Sequence, residues 1–296
     1  MKKLQLYLDI MKNIYEIGRL AKLLPGMKKE LFVLLILMSG FVGIAQPTIT
    51  NAAWSDQSGD GNIDRVVLTF SANVDVLDGI AGNGFDAIII SDGATKTIVN
   101  ADYAAPNVGT LTLNFSGDQI TGTGITGLTV TYDADAVGAS IIATVGGLEI
   151  SDNVTAAAYT DAAAPVLLSA AATSLTNIAL QFSETIISVA QANGSDFTST
   201  GPDFTATAAV IDGGDATKVN LTVNTLSGTG FTSADLDIAQ DAVSDGTNGN
   251  AVITNASISD GQVPVVTAIV SIDANADGNV DGLEITFSEP ITDAVF

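Results

Sequence analysis

Beyond its first 45 residues the chain reads as all-β, a tandem of antiparallel sandwiches. Three observations predict this. Val, Ile, Leu and Thr recur in alternation over short runs, such as Val66 to Phe70, Ile178 to Phe182 and Leu283 to Phe287, with mostly polar residues between the inward ones, which is the period of a half-buried strand. These runs are separated by Gly, Asn and Asp turns, and no long helical period follows residue 46. A two-strand unit also occurs three times: Pro47, Pro165 and Pro264 each open a segment leading to a strand that ends in Phe-Ser, at Phe70-Ser71, Phe182-Ser183 and Phe287-Ser288.

The repeat has a second anchor. Gly122-Thr123-Gly124 and Asp135-Ala136-Val137 align without a gap onto Gly228-Thr229-Gly230 and Asp241-Ala242-Val243, and internal self-similarity of this length indicates one supersecondary unit used repeatedly. Further alternating runs fill each copy, at Ala87 to Ser91, Lys96 to Asn100, Gly109 to Phe115, Thr126 to Tyr132, Phe204 to Ile211 and Thr217 to Val223. Strands at this spacing, in units of roughly 100 residues, predict Ig-like sandwiches. The expected divisions are residues 46–163, 164–262 and 263–296, the last holding only the opening hairpin of a third copy. A piece that short, without disulfides, is too small to bury a core of its own. The junctions Asp161 to Pro165 and Asp260 to Pro264 are too short for flexible tethers, so the units are expected end to end.

In residues 1–45, Lys28-Lys29 precedes an apolar run from Leu31 to Ile44 and the triplet Gly43-Ile44-Ala45. That order reads as a secretory signal cleaved after Ala45. The run is shorter than the roughly 18 to 20 apolar residues of a spanning helix, so no membrane span is expected after cleavage. The predicted location is outside the cell or on its surface. Residues 1–26 precede a second plausible start at Met27 and receive no function.

Residues 46–296 carry 30 acids, 26 of them Asp, against Arg65, Lys96 and Lys218, a net charge of −27. Such a surface repels phosphate backbones and anionic lipids, which excludes nucleic acid as a partner. The chain has no cysteine and no histidine. Its stability must therefore come without disulfides, from core size with bound metal as a candidate addition, and His-based triads and the usual zinc sites are excluded. Accidental carboxylate pairs are expected at this Asp density, and nothing singles out two of them as a glycosidase acid and base. One Trp and five Tyr leave no evident aromatic platform for a carbohydrate-binding module.

The most specific local motif is Asp273-Ala-Asn-Ala-Asp-Gly-Asn-Val-Asp-Gly-Leu-Glu284. Asp273, Asn275, Asp277, Asp281 and Glu284 occupy the first, third, fifth, ninth and twelfth positions of a calcium loop, with Gly278 at the sixth and the Asn279 carbonyl at the seventh. Hard oxygen donors at these positions suit Ca²⁺. Leu283, Ile285 and Phe287 alternate with Glu284, Thr286 and Ser288, so the loop is expected in a β-hairpin, and Glu284 falls on the strand's outward face. Copy one has a weaker version in Asp56, Ser58, Asp60, Asn62 and Asp64, with Val67 at the twelfth position. Copy two has only Ser174-Leu175-Thr176-Asn177 there. From the opening Pro to the strand Phe is 23 residues in copies one and three but 17 in copy two, which marks the loop as an insert. The predicted cofactor is structural Ca²⁺ at the affinity of extracellular modules, on the order of 10⁻⁴ to 10⁻³ M.

Ile285-Thr286-Phe287-Ser288-Glu289-Pro290 in full, Phe182-Ser183-Glu184 in part and Phe70-Ser71-Ala72 without its acid resemble the strand end of bacterial Ig-like repeat domains, as found in surface-layer proteins and secreted Bacteroidetes adhesins. The resemblance covers residues 47–296. It implies stalks, adhesins and spacers on large exported proteins, with an unknown surface ligand or neighbouring domains of the same chain as partners. Glu184 and Glu289 are expected in a turn or strand-end role. The reading is a non-catalytic exported surface or adhesion protein; its rival is the spacer of a secreted hydrolase whose catalytic domain lies beyond residue 296.

Overall fold

The computed structural model describes residues 46–291 apart from 79–87, 99, 103–106, 116, 118, 135–138, 144–147, 152–153 and 202. The signal segment expected over residues 1–45, the anchor Asp135 to Val137 and Ala87 lie outside the described residues. Among those described, strands are the regular structure, and no helix is long and apolar enough to cross a membrane.

Repeat one contains β1 (Ile49–Ser55), β2 (Asn62–Ile63), β3 (Arg65–Asp78), β4 (Ile88–Ser91), β5 (Thr95–Lys96), β6 (Asn100–Asp102), β7 (Val108–Asn114), β8 (Ile120–Thr121), β9 (Thr129–Tyr132), β10 (Ala139–Ala143), β11 (Val154–Thr155) and β12 (Tyr159–Asp161). One sheet runs β12-β1-β3-β7-β6, with β10 also on β3, and the other runs β11-β9-β4-β5. The run Lys96 to Asn100, expected as one strand, is instead divided between the two sheets, because β5 pairs with β4 while β6 pairs with β7. Trp54, Val66, Leu68, Leu111, Leu113, Phe115, Val130 and Tyr132 meet between the sheets with no exposure.

Repeat two contains β13 (Leu167–Ser174), β14 (Asn177–Phe182), β15 (Ser188–Val189), β16 (Phe197–Ser199), β17 (Ala206–Ile211), β18 (Lys218–Val223), β19 (Ser233–Ile238), β20 (Val243–Ser244) and β21 (Ile253–Asp260). Its main sheet is continuous, β16-β19-β21-β13-β14-β18-β17. The long β21 pairs antiparallel with β19 and parallel with β13, so a single strand serves both layers. In repeat one that job is split between β11, on β9, and β12, parallel to β1. The core of repeat two is separate, with Ile178, Leu180, Phe182, Val219, Leu221, Phe197 and Leu236 at its centre. Asn250 is fully buried. It accepts from the Val243 amide at 2.9 Å and donates to the Ala239 and Ala251 carbonyls at 2.9 and 2.7 Å. Asn250→Ala would leave the buried Val243 amide without its acceptor, so a loss of about 1 to 2 kcal/mol is expected in urea unfolding.

The opening hairpin is the same object three times. Ile49 faces Phe70 in β1–β3, Leu167 faces Phe182 in β13–β14, and Val266 faces Phe287 in β22 (Val266–Ile272) with β23 (Gly282–Phe287). Each pairing shifts register immediately after that first pair. The Ser after each Phe closes the hairpin: its hydroxyl accepts from the amide of Thr48, Val166 or Val265 at 2.9 to 3.0 Å, and its own amide bonds the same residue's carbonyl. Val66, Leu68, Ile178 and Leu180 are fully buried, whereas Leu283 and Ile285, expected inward by the same alternation, are 63% and 47% exposed. In repeats one and two β7 and β18 lie alongside this strand. Hairpin β22–β23 pairs with no third strand among the described residues.

Candidate functional site: acidic loops and a polar junction

The two Asp-rich loops have one conformation. Gly61 and Gly278, at the sixth position, have φ of 87° and 88°, and the fourth position, Gly59 or Ala276, also has positive φ at 74° and 59°. Winding the backbone this way points amide N–H groups at the carboxylates. In loop one Asp56 accepts from the amides of Gly59 and Gly61, both at 2.7 Å, and from the Ser58 hydroxyl at 3.1 Å. Asp64 accepts from Gln57 and Ser58 at 2.8 and 3.2 Å, and Asp60 accepts from Asn62 and from Gln119. In loop three Asp273 accepts from Asp277 and Gly278 at 3.2 and 2.9 Å, and Asp281 from Ala274 and Asn275 at 2.9 and 3.3 Å. Asp277 accepts from the Asn279 amide at 2.8 Å and from the Asn275 side chain at 3.2 Å. Glu284 stands apart from the turn, on β23 opposite Val270.

Hydrogen bonds hold the Asp60 and Asp277 carboxyls below the usual Asp range, Asp60 chiefly through the Gln119 amide and Asp277 chiefly through the Asn279 backbone. Asp56 Oδ1, Asp60 Oδ1 and Asp281 Oδ2 each accept two donors, whereas Asp56 Oδ2, Asp64 Oδ1 and Asp273 Oδ2 each accept one amide and keep a second lone pair. The donor set of both loops, all oxygen, fits a hard divalent cation.

Loop one also touches the next repeat. A Cβ on Gly61 would lie 2.7 Å from Leu168 Cδ2 and 3.3 Å from Ser183 Cβ. The Asn62 side chain accepts from the Gly122 amide at 3.2 Å, and β2 pairs with β8 just before the Gly-Thr-Gly turn. Gly122 in turn has φ of 82° and no room for a side chain, since a Cβ there would lie 2.8 Å from the Ser183 carbonyl oxygen.

At the centre of this junction Thr123 is fully buried and Glu184 is 6% exposed. Thr123 Oγ1 is 2.6 Å from Glu184 Oε1 and 2.7 Å from Ser183 Oγ. The protons can be placed by inventory. Glu184, when ionised, only accepts, so Thr123 donates to it; Ser183 then donates to Thr123 and accepts from the Val166 amide. Four groups from two repeats are thereby satisfied in one chain of hydrogen bonds.

Two more acids complete the junction. Asp161 ends repeat one and Asp245 lies in a turn of repeat two; oxygens of Asp161, Glu184 and Asp245 all lie within 4.8 Å of one another. The Asn248 side chain bridges them, donating to the Asp161 carbonyl and to Asp245, both at 3.2 Å. Burial raises the Glu184 carboxyl to about 7, with the charges of Asp161 and Asp245 adding to the rise and the Thr123 hydroxyl opposing it. Burial likewise raises Asp161 to about 6, helped by Asp245 and opposed by the Ala163 amide. Of the three bases after residue 46, Lys96 pairs with Asp92 and Lys218 with Asp215, at 3.0 and 2.8 Å. The carboxylates of this cluster can relieve their repulsion by sharing a proton or a cation.

The sequence singled out the loop acids, Glu184 as a strand end and the Gly-Thr-Gly turns as repeat markers. It did not connect them, nor did it identify Asp161 and Asp245. The signal that could have done so is the shared position of Asp161 and Asp260, each four residues before an opening Pro.

No family model matches the chain, and no curated protein matches it in sequence. Among solved structures it is similar to the N-terminal part of the bacterial S-layer protein SbsC, at 13% identity over 76% of this chain and 47% of that one, with a TM-score of 0.28. It is also similar to the S-layer protein rSbsC(31-844), at 10% identity over 80% and 44% with a TM-score of 0.23. A third similarity is to FdeC, an Escherichia coli adhesin, at 13% identity over 74% and 66% with a TM-score of 0.20. The chain spans about half the length of the S-layer chains it matches. Identities of 10 to 13% and TM-scores of 0.28 and under assign it to no family.

Proposed function

We propose that residues 46–296 are a non-catalytic spacer of an exported cell-surface or adhesion protein, built of repeats joined end to end and stiffened by Ca²⁺ in the Asp-rich loops. The observation that carries this reading is the junction itself. Where a flexible multidomain chain would have a solvated tether, Gly61, Gly122 and Thr123 of repeat one meet Leu168, Ser183 and Glu184 of repeat two in a close, partly buried contact. A spacer needs joints of this kind, since relative domain motion is the default across small, wet interfaces.

Calcium belongs to the proposal on chemical grounds. Asp56, Ser58, Asp60, Asn62 and Asp64 in loop one, and Asp273, Asn275, Asp277, Asn279 and Asp281 in loop three, supply oxygen donors alone, while Glu284, on β23 opposite Val270, stands outside the set. Loop one abuts the junction, so a cation there would neutralise carboxylates beside the joint. Adding about ten times the dissociation constant of Ca²⁺ to the EDTA-treated protein should raise its Tm by roughly 4 °C. Asp56→Ala should remove the part due to loop one. Trp54, buried two residues before Asp56, should report the same event in fluorescence. Melting curves that coincide with and without tens of millimolar Ca²⁺ would eliminate calcium as a stabiliser.

A further inference from the structure

We infer that Glu184 and Glu289 are inter-repeat docking residues, each plugging the Gly-Thr-Gly turn of the repeat before it, so that the surface around Thr123 or Thr229 is a socket whose partner is the Ser-Glu strand end of another repeat of this kind. Three observations carry this. At the first junction the contact is explicit: Thr123 binds Glu184 at 2.6 Å and Ser183 at 2.7 Å, and Gly122 is bare because the Ser183 carbonyl occupies the space of its side chain. At the second junction the same pieces meet again. A Cβ on Gly230 would lie 3.2 Å from Glu289 Oε2, Gln262 reaches the Gly228 carbonyl at 3.5 Å, and both Thr229 and Asp260 act on the Glu289 carboxyl, as Thr123 and Asp161 act on Glu184. The third observation is a difference. The repeat that follows the N-terminal extension has Ala72 in the acid's position, exposed beside Ser71, while Ser71 keeps the hairpin bond found in all three copies. The serine therefore serves the hairpin and the glutamate serves the junction.

The second socket is engaged less completely. Thr229 Oγ1 and Glu289 Oε1 are buried and neither completes a hydrogen bond of good geometry, although Thr229 is near enough to pull the Glu289 carboxyl down against the upward push of burial and Asp260. A hydroxyl donating to a largely buried carboxylate is directional and strong when made, and costly to leave unmade.

This inference rests on the spacer reading for its purpose but not for its chemistry, and the test separates the two. The chain contains no cysteine, so Thr110→Cys with Thr207→Cys, both at exposed positions, place one spin label in each repeat of the whole protein. Pulsed electron–electron resonance then reads the distribution of distances across the junction. A narrow distribution is expected for the parent, broadened about twofold in width by Glu184→Ala and also by Thr123→Val, which acts from the other repeat. Glu184→Gln, which keeps the acceptor, should restore the narrow distribution. In urea unfolding, Thr123→Val and Glu184→Ala should be non-additive, the double variant falling short of the summed single effects by about tenfold in the equilibrium constant. Additive effects, with widths unchanged in both single variants, would overturn the docking role. A parent distribution already broad, with the non-additivity intact, would uphold the docking bond and defeat the stiff-spacer reading.

Discussion

Trp54→Ala is expected to destabilise repeat one by about 3 to 5 kcal/mol, the range for deleting a fully buried large aromatic, a large share of the total stability of a domain this size. Trp54 has no exposed surface; Phe115 meets it edge-on at 6.4 Å and 73°, and Tyr159 stacks on it at 6.4 Å and 23°. Tyr159 belongs to β12, the strand leading into Asp161, so the cavity would open directly behind the junction. The indole nitrogen is buried without a hydrogen-bond partner, so its loss brings no compensating penalty. Trp54→Phe, which keeps an aromatic ring and removes the orphaned N–H, should therefore lose far less, within about 1.5 kcal/mol. Circular dichroism during urea unfolding ranks the two variants. Equal losses would show that a phenyl ring recovers none of the indole's packing, contrary to this expectation.

A second large effect is expected from pH, with a sign opposite to the usual behaviour of salt-bridged carboxylates. Glu184 rises to about 7 and Asp161 to about 6, both chiefly through burial. The docked state therefore binds protons more tightly than the unfolded chain. The stability this contributes is fully present below the ordinary carboxylate values and is lost as pH rises through 6 and 7. In metal-free buffer the loss between pH 4.5 and 8 should be on the order of 3 kcal/mol, taking about 1.4 kcal/mol per unit of displacement and halving it for water at the junction's rim. Glu184→Gln should flatten much of the profile, leaving the part due to Asp161. A parent profile that rises with pH over this window would contradict the buried, acid-flanked environment assigned to Glu184.

These effects sit in the part of the molecule that was least legible from sequence. The hairpins were legible because alternation is local: Val66, Leu68 and Phe70 had to share a face, and a strand with three inward apolar residues next to a turn has few alternatives. The Asp-rich loops were legible as motifs for the same reason. Glu184 and Thr123 are 61 residues apart and belong to different repeats, so no periodicity connects them. Their pairing follows from where β2 and β8 deliver the Gly-Thr-Gly turn, a tertiary fact. Leu283 and Ile285 show the opposite limit. Alternation identifies the face they occupy, but burial depends on a neighbouring strand, and in β22–β23 none of the described residues supplies it. The division of Lys96 to Asn100 between two sheets is a third case, because five residues are enough for a strand and equally enough for a crossing.

Loop one and the junction also explain why an insert can matter without being required by the fold. Repeat two closes its hairpin with Leu175 and Thr176 at the turn, and its core is complete without the loop. In repeat one the insert carries Gly61 and Asn62 to the face where repeat two docks, so the added residues extend the contact between repeats and not the core within one.

The central claim is that repeats one and two behave as one stiff body because their ends are docked. Residual dipolar couplings measured on the whole chain test it most directly, with backbone amides of residues 47–163 and 164–262 fitted separately. A shared alignment tensor, equal in magnitude and orientation for both repeats, is the predicted result. Two tensors of different magnitude, the signature of repeats that reorient independently, would contradict it.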